Sequence, residues 1–397
     1  MLPLPDHYRV SREPFYVRSV AEHRHSETTV LPKHQHILLF NSALGCGGAE
    51  RVMVTLANHW AARDRSISIL TLHADSPDFF RLDERVTRRV LGRHWESRSI
   101  VDAIRNNVRC VSRLRAKIIE SSPTVIISFQ DKNNILVLLA SIGLGIPVVI
   151  SERNDPRQRP LPLAWRCLRR LLYRRASALV MQTESLREWA RQLIPAARVY
   201  VIPNPVIPPT QVARDVGRQP NLIVAAGRLV PQKGFDLFLQ ALHRCKGSWE
   251  VVILGDGPER LNLQTLADRM NLGARVRFEG QVADPQSYFR RAGLFVLSSR
   301  YEGFPNVLVE AMACGLPAIS FDCRSGPSEI IRHGVDGVLV PAENVEALAT
   351  GIDSLMQDPG RRSMLASRAP DVIERFSINK TCLAWDSLIE ATVGVSR

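Results

Sequence analysis

The sequence predicts an α/β protein made of two doubly wound parallel sheets. Three observations carry this. Short apolar strands alternate with amphipathic helices from about residue 36 onward. The alternation pauses at Val201-Ile202-Pro203-Asn204-Pro205-Val206-Ile207-Pro208-Pro209, whose prolines mark a linker, and then resumes. The chain's 397 residues, 45% apolar and 23% charged, allow two or three globular domains and exclude collagen, coiled coil and disorder throughout.

Residues 1–33 are mixed polar without a clear period and are expected to form a poorly ordered extension. In the first domain, 34–204, strands are expected at His36–Phe40, Ser66–Leu72, Val125–Phe129, Val148–Ser151 and Ala178–Gln182. Helices are expected at Ala49–Trp60, Ile100–Ile119, Asn134–Ser141 and Leu161–Arg175. Val101, Ile104, Val108, Val111, Leu114 and Ile118 form one apolar stripe on the second of these helices. In the second domain, 205–377, strands are expected at Leu222–Ala226, Val251–Leu254, Val276–Glu279, Leu294–Ser298 and Ala318–Phe321. Helices alternate with them at Phe235–Cys245, Glu259–Met270, from Asp284, and at Asn306–Cys314. Helices fill most of the remainder. Residues 378–397 are expected to form a last helix packing back on the first domain. Ligands of doubly wound sheets bind at the carboxyl ends of the strands, so the expected site lies between the two domains.

The formal net charge is +13, from 52 Lys and Arg against 39 Asp and Glu. Residues 1–204 hold 31 basic and 18 acidic side chains, and residues 205–397 hold 21 of each, so the excess belongs to the first part. Such asymmetry suggests that one half faces an anionic surface. Residues 157–175 carry seven arginines and no acid, with Leu161, Trp165, Leu168 and Leu172 at helical spacing, and Arg105, Arg109 and Arg113 recur one turn apart. Basic amphipathic helices of this kind can lie on anionic lipid; solvated arginines over a packed stripe are the competing reading. Aromatic residues are only 6% and no RNA-binding signature occurs, which disfavours nucleic acid. The seven cysteines are widely spaced with no C-x-x-C, as expected for reduced thiols rather than a disulfide frame or zinc site. Charged residues interrupt the N-terminus before any leader core, and the longest apolar run, Ile135–Ile150, is too short to span a membrane.

Three loops of the second half carry chemistry. Gly227-Arg228-Leu229-Val230-Pro231-Gln232-Lys233-Gly234 sets two cations beside a helix N-terminus, a suitable place for a diphosphate. It is neither a P-loop nor a G-x-G-x-x-G. Leu254-Gly255-Asp256-Gly257-Pro258 is a second tight glycine turn. In Glu302-Gly303-Phe304-Pro305-Asn306-Val307-Leu308-Val309-Glu310, Pro305 suits the first helical position. The amides of Asn306, Val307 and Leu308 then point out of the helix start toward a phosphate. Glu302 before the helix and Glu310 within it can each accept hydrogen bonds from sugar hydroxyls. A diphosphate between two polyols describes a nucleotide sugar.

Through these motifs the chain resembles the retaining GT-B glycosyltransferases of family 4. The resemblance rests on the Glu302/Glu310 pair within E-G-F-P-N-V-x-x-E-A-M-A-C-G-x-P, on Gly227–Gly234, on Gly47-Gly48-Ala49-Glu50 and on Pro203-Asn204-Pro205, and covers roughly residues 36–392. Ser151-Glu152-Arg153-Asn154-Asp155-Pro156 and Ser325-Gly326-Pro327-Ser328-Glu329 resemble the branch that builds bacterial surface polysaccharides and lipid-linked oligosaccharides. The resemblance implies that Arg228 and Lys233 hold the donor diphosphate and stabilise the departing nucleotide. Glu310 would bind ribose, and Glu302 the transferred sugar, lined by Gly303, Phe304 and Pro305. Val282 would lie near the base, with Asp256 also at the donor. Gly47 and Gly48 would let acceptor and donor approach, and Asp131 or Asn154 would contact sugar. The family's first-domain histidine is absent from Ser128-Phe129-Gln130-Asp131-Lys132. No D-x-D occurs, so metal-independent transfer without a cofactor is expected, the nucleotide sugar serving as co-substrate. The expected activity moves a hexose or N-acetylhexosamine from a nucleotide diphosphate sugar, UDP foremost, to a glycan or polyprenyl-diphosphate-linked acceptor at the inner face of the cytoplasmic membrane. A sugar-nucleotide epimerase, a non-catalytic nucleotide-sugar binder and a nucleic-acid binder are the alternatives.

Overall fold

The computed structural model describes residues 35–73, 78–92, 99–158, 160–209, 219–247 and 249–394. The expected N-terminal extension lies outside the described residues. The chain forms two compact units, one reaching to Asn204 and regaining the chain at Asn379, the other spanning Pro205–Ile378.

The first unit is a seven-stranded, wholly parallel sheet. Its strands are β1 (His36–Asn41), β2 (Ser66–Thr71), β3 (Thr87–Val90), β4 (Val125–Phe129), β5 (Val148–Ser151), β6 (Ala178–Met181) and β7 (Val199–Val201), in the order β3-β2-β1-β4-β5-β6-β7. The connecting helices are α1 (Gly48–Ala61), α2 (Ile100–Ser121), α3 (Asp131–Ala140), α4 (Leu163–Leu172) and α5 (Glu184–Ala190). Strand order reverses between β1 and β4. Strands β4, β5 and β6 are buried at every position, as a sheet covered on both faces requires.

The second unit continues with β8 (Gln219–Ala226), β9 (Glu250–Leu254), β10 (Val276–Gly280), β11 (Ala292–Leu297), β12 (Ala318–Asp322) and β13 (Gly337–Pro341), ordered β10-β9-β8-β11-β12-β13. Every pair is parallel, and the order reverses between β8 and β11. Its helices are α6 (Phe235–Arg244), α7 (Arg260–Arg269), α8 (Pro285–Arg291), α9 (Asn306–Ala313), α10 (Pro327–Ile330), α11 (Val345–Gln357), α12 (Pro359–Arg368) and α13 (Asp371–Arg375). The last helix, α14 (Ile378–Gly394), packs within the first unit: Trp385 sits 6.2 Å from Phe129, and Asp386 accepts from Trp60 Nε1 at 2.8 Å and pairs with Arg65 at 2.7 Å.

Several expectations are corrected. Strands β3, β7 and β13 and helix α5 are additional to the elements read from sequence. Helix α3 starts at Asp131, three residues earlier than its apolar pattern, because Asn133 and Asn134 are buried and donate to Phe129 O and Ser151 O rather than to water. The stripe on α2 packs only over its second half. Cys110, Leu114 and Ile118 are buried, whereas Ile100, Val101, Ile104 and Val108 are 81%, 73%, 60% and 61% exposed. The expected stripe does pack inward, through Leu161 just before α4 and Leu172 at its end, but Arg169 is buried too, its guanidinium 5.0 Å over the Trp189 ring.

Candidate active site

In the second unit the site forms where strand order reverses, the crevice in which doubly wound sheets bind ligands. The loop after β8 carries Arg228 and Lys233; the loop after β11 carries Glu302. Lys233 Nζ donates to Glu302 Oε1 at 2.6 Å, so a cation and a carboxylate meet across the switch point. Ser299 Oγ donates to the same oxygen at 2.7 Å. Glu302 is 5% exposed, and such a carboxylate needs these donors.

Glycine makes this approach possible. Gly234, at φ +61°, caps α6, and a Cβ there would stand 2.1 Å from Ser298 O. Gly255, at φ +124°, is equally restricted, with Gly227 O at 2.1 Å from its Cβ position. The glycine turn holding Asp256 is thereby locked against the Arg228 loop, with Leu229 N donating to Asp256 O at 2.9 Å. The β11 loop is stapled to the Lys233 loop. Arg300 forms a bidentate pair with Asp236 at 2.8 and 2.6 Å, and Gln232 Nε2 donates to Tyr301 O at 3.0 Å.

Arg228 is exposed and makes no ion pair among the described residues, leaving its guanidinium available. The stem of Lys233 lies over Gly227, 3.4 Å from where a Cβ would be. Gly303, Phe304 and Pro305 are buried beside Glu302, and Phe304 meets Phe376 edge-on at 5.2 Å. Pro305 is the N-cap of α9, not its first helical residue. Its carbonyl accepts from Leu308 N at 3.0 Å, so Leu308 does not offer a free amide as expected. Asn306 and Val307 therefore head the helix, which has no side-chain cap. Glu310 is buried in the second turn of α9. Asp256 is exposed and takes the amide of Gly257 at 2.7 Å, while Val282 is half-buried in the loop after β10. The Ser325-Gly326 turn underpins the site: Ser325 Oγ donates to Glu302 O, and a Cβ on Gly326 would stand 2.7 Å from Pro305 Cδ.

The first unit builds a counterpart at its own switch point. Asn41 ends β1 and Gln130 follows β4; their side-chain amides both donate to Glu50 Oε1 at 3.2 Å. Gln130 adopts φ +75°, strained for a residue with a side chain, of the kind that gathers at functional sites. Gly47 caps α1 and leaves room for Glu50: a Cβ at 47 would meet Glu50 Oε2 at 2.2 Å. Gly48 opens α1. Asp131 begins α3, its carboxylate accepting from Lys132 N at 2.7 Å, and Asn154 is half-buried after β5. The sequence reading missed Glu50 and Glu152. Glu152 is fully buried and accepts from Tyr173 Oη at 2.6 Å; burial first, then the charge of Asp131, pushes its carboxyl up to about 7. Its place in the Ser151–Pro156 run was the available signal.

Family models agree with this division. A glycosyltransferase family 4 model matches residues 46–208, and a model of glycosyl transferases group 1 matches residues 211–372. The chain is 30% identical over 353 residues to a Campylobacter jejuni GalNAc-alpha-(1->4)-GalNAc-alpha-(1->3)-diNAcBac-PP-undecaprenol alpha-1,4-N-acetyl-D-galactosaminyltransferase, covering 88% of this chain and 96% of that protein. It is 26% identical to the amylovoran biosynthesis glycosyltransferase AmsD of Erwinia amylovora, over 84% of this chain and 93% of the other. The fold is shared with Anabaena HepE in complex with UDP and glucose, at TM-score 0.73 and 20% identity over 90% of this chain and all of that one. It is shared also with sucrose-phosphate synthase from Thermosynechococcus elongatus, at TM-score 0.76 and 20% identity over 91% of this chain and all of that one. The chain belongs to the GT-B glycosyltransferases, with a family 4 first domain and a group 1 second domain, and is a sugar-transferring enzyme.

Proposed function

We propose that the protein transfers a hexose or N-acetylhexosamine, with retention, from a nucleotide diphosphate sugar to a glycan or lipid-linked acceptor in bacterial polysaccharide synthesis. UDP is the favoured nucleotide, in keeping with the HepE complex. The observation that carries this reading is the Lys233–Glu302 pair at the switch point, next to the start of α9. Arg228, Lys233 and the amides of Asn306 and Val307 take the diphosphate. Glu310 takes the ribose hydroxyls, with Asp256 and Val282 toward the nucleotide. Glu302 takes the hydroxyls of the transferred sugar, lined by Gly303, Phe304 and Pro305. As the C1–O bond to the diphosphate lengthens, the cations and the helix terminus meet the charge growing on the leaving oxygen. The acceptor hydroxyl bonds to C1 from the same face, and its proton passes to that phosphate oxygen. The chemistry then calls on no metal or cofactor, and turnover should survive chelation with EDTA.

The acceptor enters from the first unit, near Gly47, Gly48, Asp131 and Asn154. The exposed apolar residues of α2 stand among Arg105 and Arg109, and Leu163 and Leu171 of α4 among Arg166, Arg170 and Arg174, all exposed. Apolar side chains between arginines suit an anionic bilayer surface, where each cation adds on the order of 1 kcal/mol. Among the described residues no helix is long and apolar enough to cross a membrane, so the proposed contact is peripheral.

A donor screen tests the reading. Radiolabelled UDP- and GDP-sugars are supplied with bacterial membrane extract. Label entering the lipid fraction from a UDP-sugar is expected. Label found only in water-soluble product would remove the lipid acceptor, and nucleotide release without any acceptor product would favour an epimerase.

A further inference from the structure

The first unit buries a cation that the fold leaves half unpaired. Arg153 lies two residues beyond β5 and is 7% exposed. Its guanidinium stacks on Phe129, 3.5 Å from the ring centroid, with Trp385 at 6.0 Å. Nη1 donates to Asn204 Oδ1 at 2.8 Å, and Gln182 Nε2 donates to the same oxygen at 2.8 Å. Stacking and the Asn204 bond fix the plane and rotation of the group. Nε and Nη2 are shielded from solvent and have no hydrogen-bond partner among the described residues, so an anion reaches them only when the side chains over the fork shift. Those two nitrogens form the side-on fork that matches the two oxygens of a carboxylate or phosphate.

At three other arginines of this unit the same fork is filled. Arg157 gives Nε and Nη2 to Asp155 at 2.8 Å each, Arg85 gives them to Asp83 at 2.9 Å each, and Arg88 to Asp78 at 3.0 and 3.2 Å. No carboxylate fills it at Arg153. The acid whose charge acts on Arg153 is Glu50, and its Oε1 is already held by Asn41 and Gln130. A buried guanidinium with an empty fork is among the least favourable arrangements a core can hold, and the surrounding groups nonetheless orient it. Stacking on Phe129 satisfies its face but not its edge.

We propose that the Nε/Nη2 edge of Arg153 binds an oxyanion of the acceptor, gripping two oxygens of a phosphate or carboxylate at once. This rests on the reading that the first unit receives the acceptor, and it narrows that acceptor to an anionic one. A diphosphate linking glycan to lipid and a uronate within a glycan both offer the required pair of oxygens.

The test separates these sources and does not depend on transfer being observed. The full-length protein with Arg228→Ala and Lys233→Ala, which silences the proposed donor cations, is titrated with inorganic pyrophosphate, with glucuronate, and with neutral glucose, following the midpoint of thermal unfolding. One of the two anions should raise the midpoint and glucose should not. Adding Arg153→Lys should abolish the shift, because a lysine keeps the charge but lacks the fork; Arg153→Met should abolish it too. A shift that survives Arg153→Lys, or no shift with either anion, overturns the proposal. The lysine variant decides the matter if the methionine variant does not fold. Where wild-type turnover can be measured, Arg153→Lys should raise the acceptor KM at least tenfold with the nucleotide Kd unchanged. Absence of transfer to any lipid or glycan supplied would count against the proposed acceptor class and leave the anion titration to stand by itself.

Discussion

Both sheets place a carboxylate across the point where strand order reverses, and they treat it differently. In the second unit Glu302 meets the ammonium of Lys233, and three loops lock around the pair through backbone contacts that only glycine allows. In the first unit Glu50 accepts from the neutral amides of Asn41 and Gln130, while the nearby cation, Arg153, keeps a fork unpartnered among the described residues. The carboxylate of one site is already neutralised by a cation, which suits the constant ligand proposed for it, the nucleotide diphosphate. The other keeps unmet hydrogen-bonding capacity at buried groups, as expected where the ligand supplies the missing partner.

The largest effect should follow from breaking the completed pair. Lys233→Ala should lower kcat by about 100- to 1000-fold, the usual magnitude for removing one preorganised charge stabiliser. It should also lower stability by about 1–3 kcal/mol, because Glu302 stays buried with Ser299 as its remaining side-chain donor. Adding Glu302→Gln should restore much of that stability and none of the turnover. Steady-state kinetics and denaturant unfolding of both variants separate the two roles. Recovery of turnover in the double variant would show that the pair is structural.

The first unit should show its unmet charges in pH dependence. The carboxyl of Glu152 is raised from 4.5 to about 7 by burial. Between those pH values the folded state holds a proton that the unfolded state has released, so stability falls as pH rises through the window. The contribution is on the order of 3 kcal/mol across it. Glu152→Gln, which can still accept from Tyr173, should flatten that part of the stability profile. An unchanged profile would mean that Glu152 is not the group responsible.

Glycine substitutions sharpen the contrast in loop packing. Gly234→Ala should destabilise by at least about 2 kcal/mol, since it joins a left-handed φ to a collision with Ser298 O. Gly334→Ala, at φ +76° with nothing within 4 Å, carries the backbone strain alone and should cost about 1 kcal/mol. Equal effects in thermal unfolding would remove the close loop approach from the account.

These differences explain what was legible in the sequence. The second site could be read because its determinants are local: Gly227–Gly234 and Glu302–Glu310 are contiguous runs, each set by one strand-to-helix turn. In the first unit Gly47, Gly48, Asp131 and Asn154 were named from local runs, but the cluster of Asn41, Glu50, Gln130, Arg153, Gln182 and Asn204 was not, because its members come from separate strand ends and helices. Charged neighbours such as Glu152 and Arg153 read as surface residues until the fold buries them. The parallel sheets were legible from alternation, whereas β3 and β13 were not, since Thr87–Val90 is polar except for its valine and Gly337–Pro341 opens on glycine and ends on proline. Helix α2 shows the converse. Its apolar period is real, yet half of the stripe stands in solvent.

The smallest effect concerns that exposed half. Replacing Ile104 and Val108 by serine should leave stability within about 0.5 kcal/mol and reduce cosedimentation with phosphatidylglycerol vesicles, with phosphatidylcholine vesicles as control. Undiminished binding would move the proposed membrane contact away from α2.

The central claim is that the Lys233–Glu302 switch point receives the nucleotide diphosphate. Calorimetric titration of UDP and GDP into the wild type and into the Lys233→Met/Glu302→Gln variant tests it most directly. The account predicts that the wild type binds one nucleotide and that the variant, still folded, binds it at least tenfold more weakly. Equal affinity in the two proteins would contradict it.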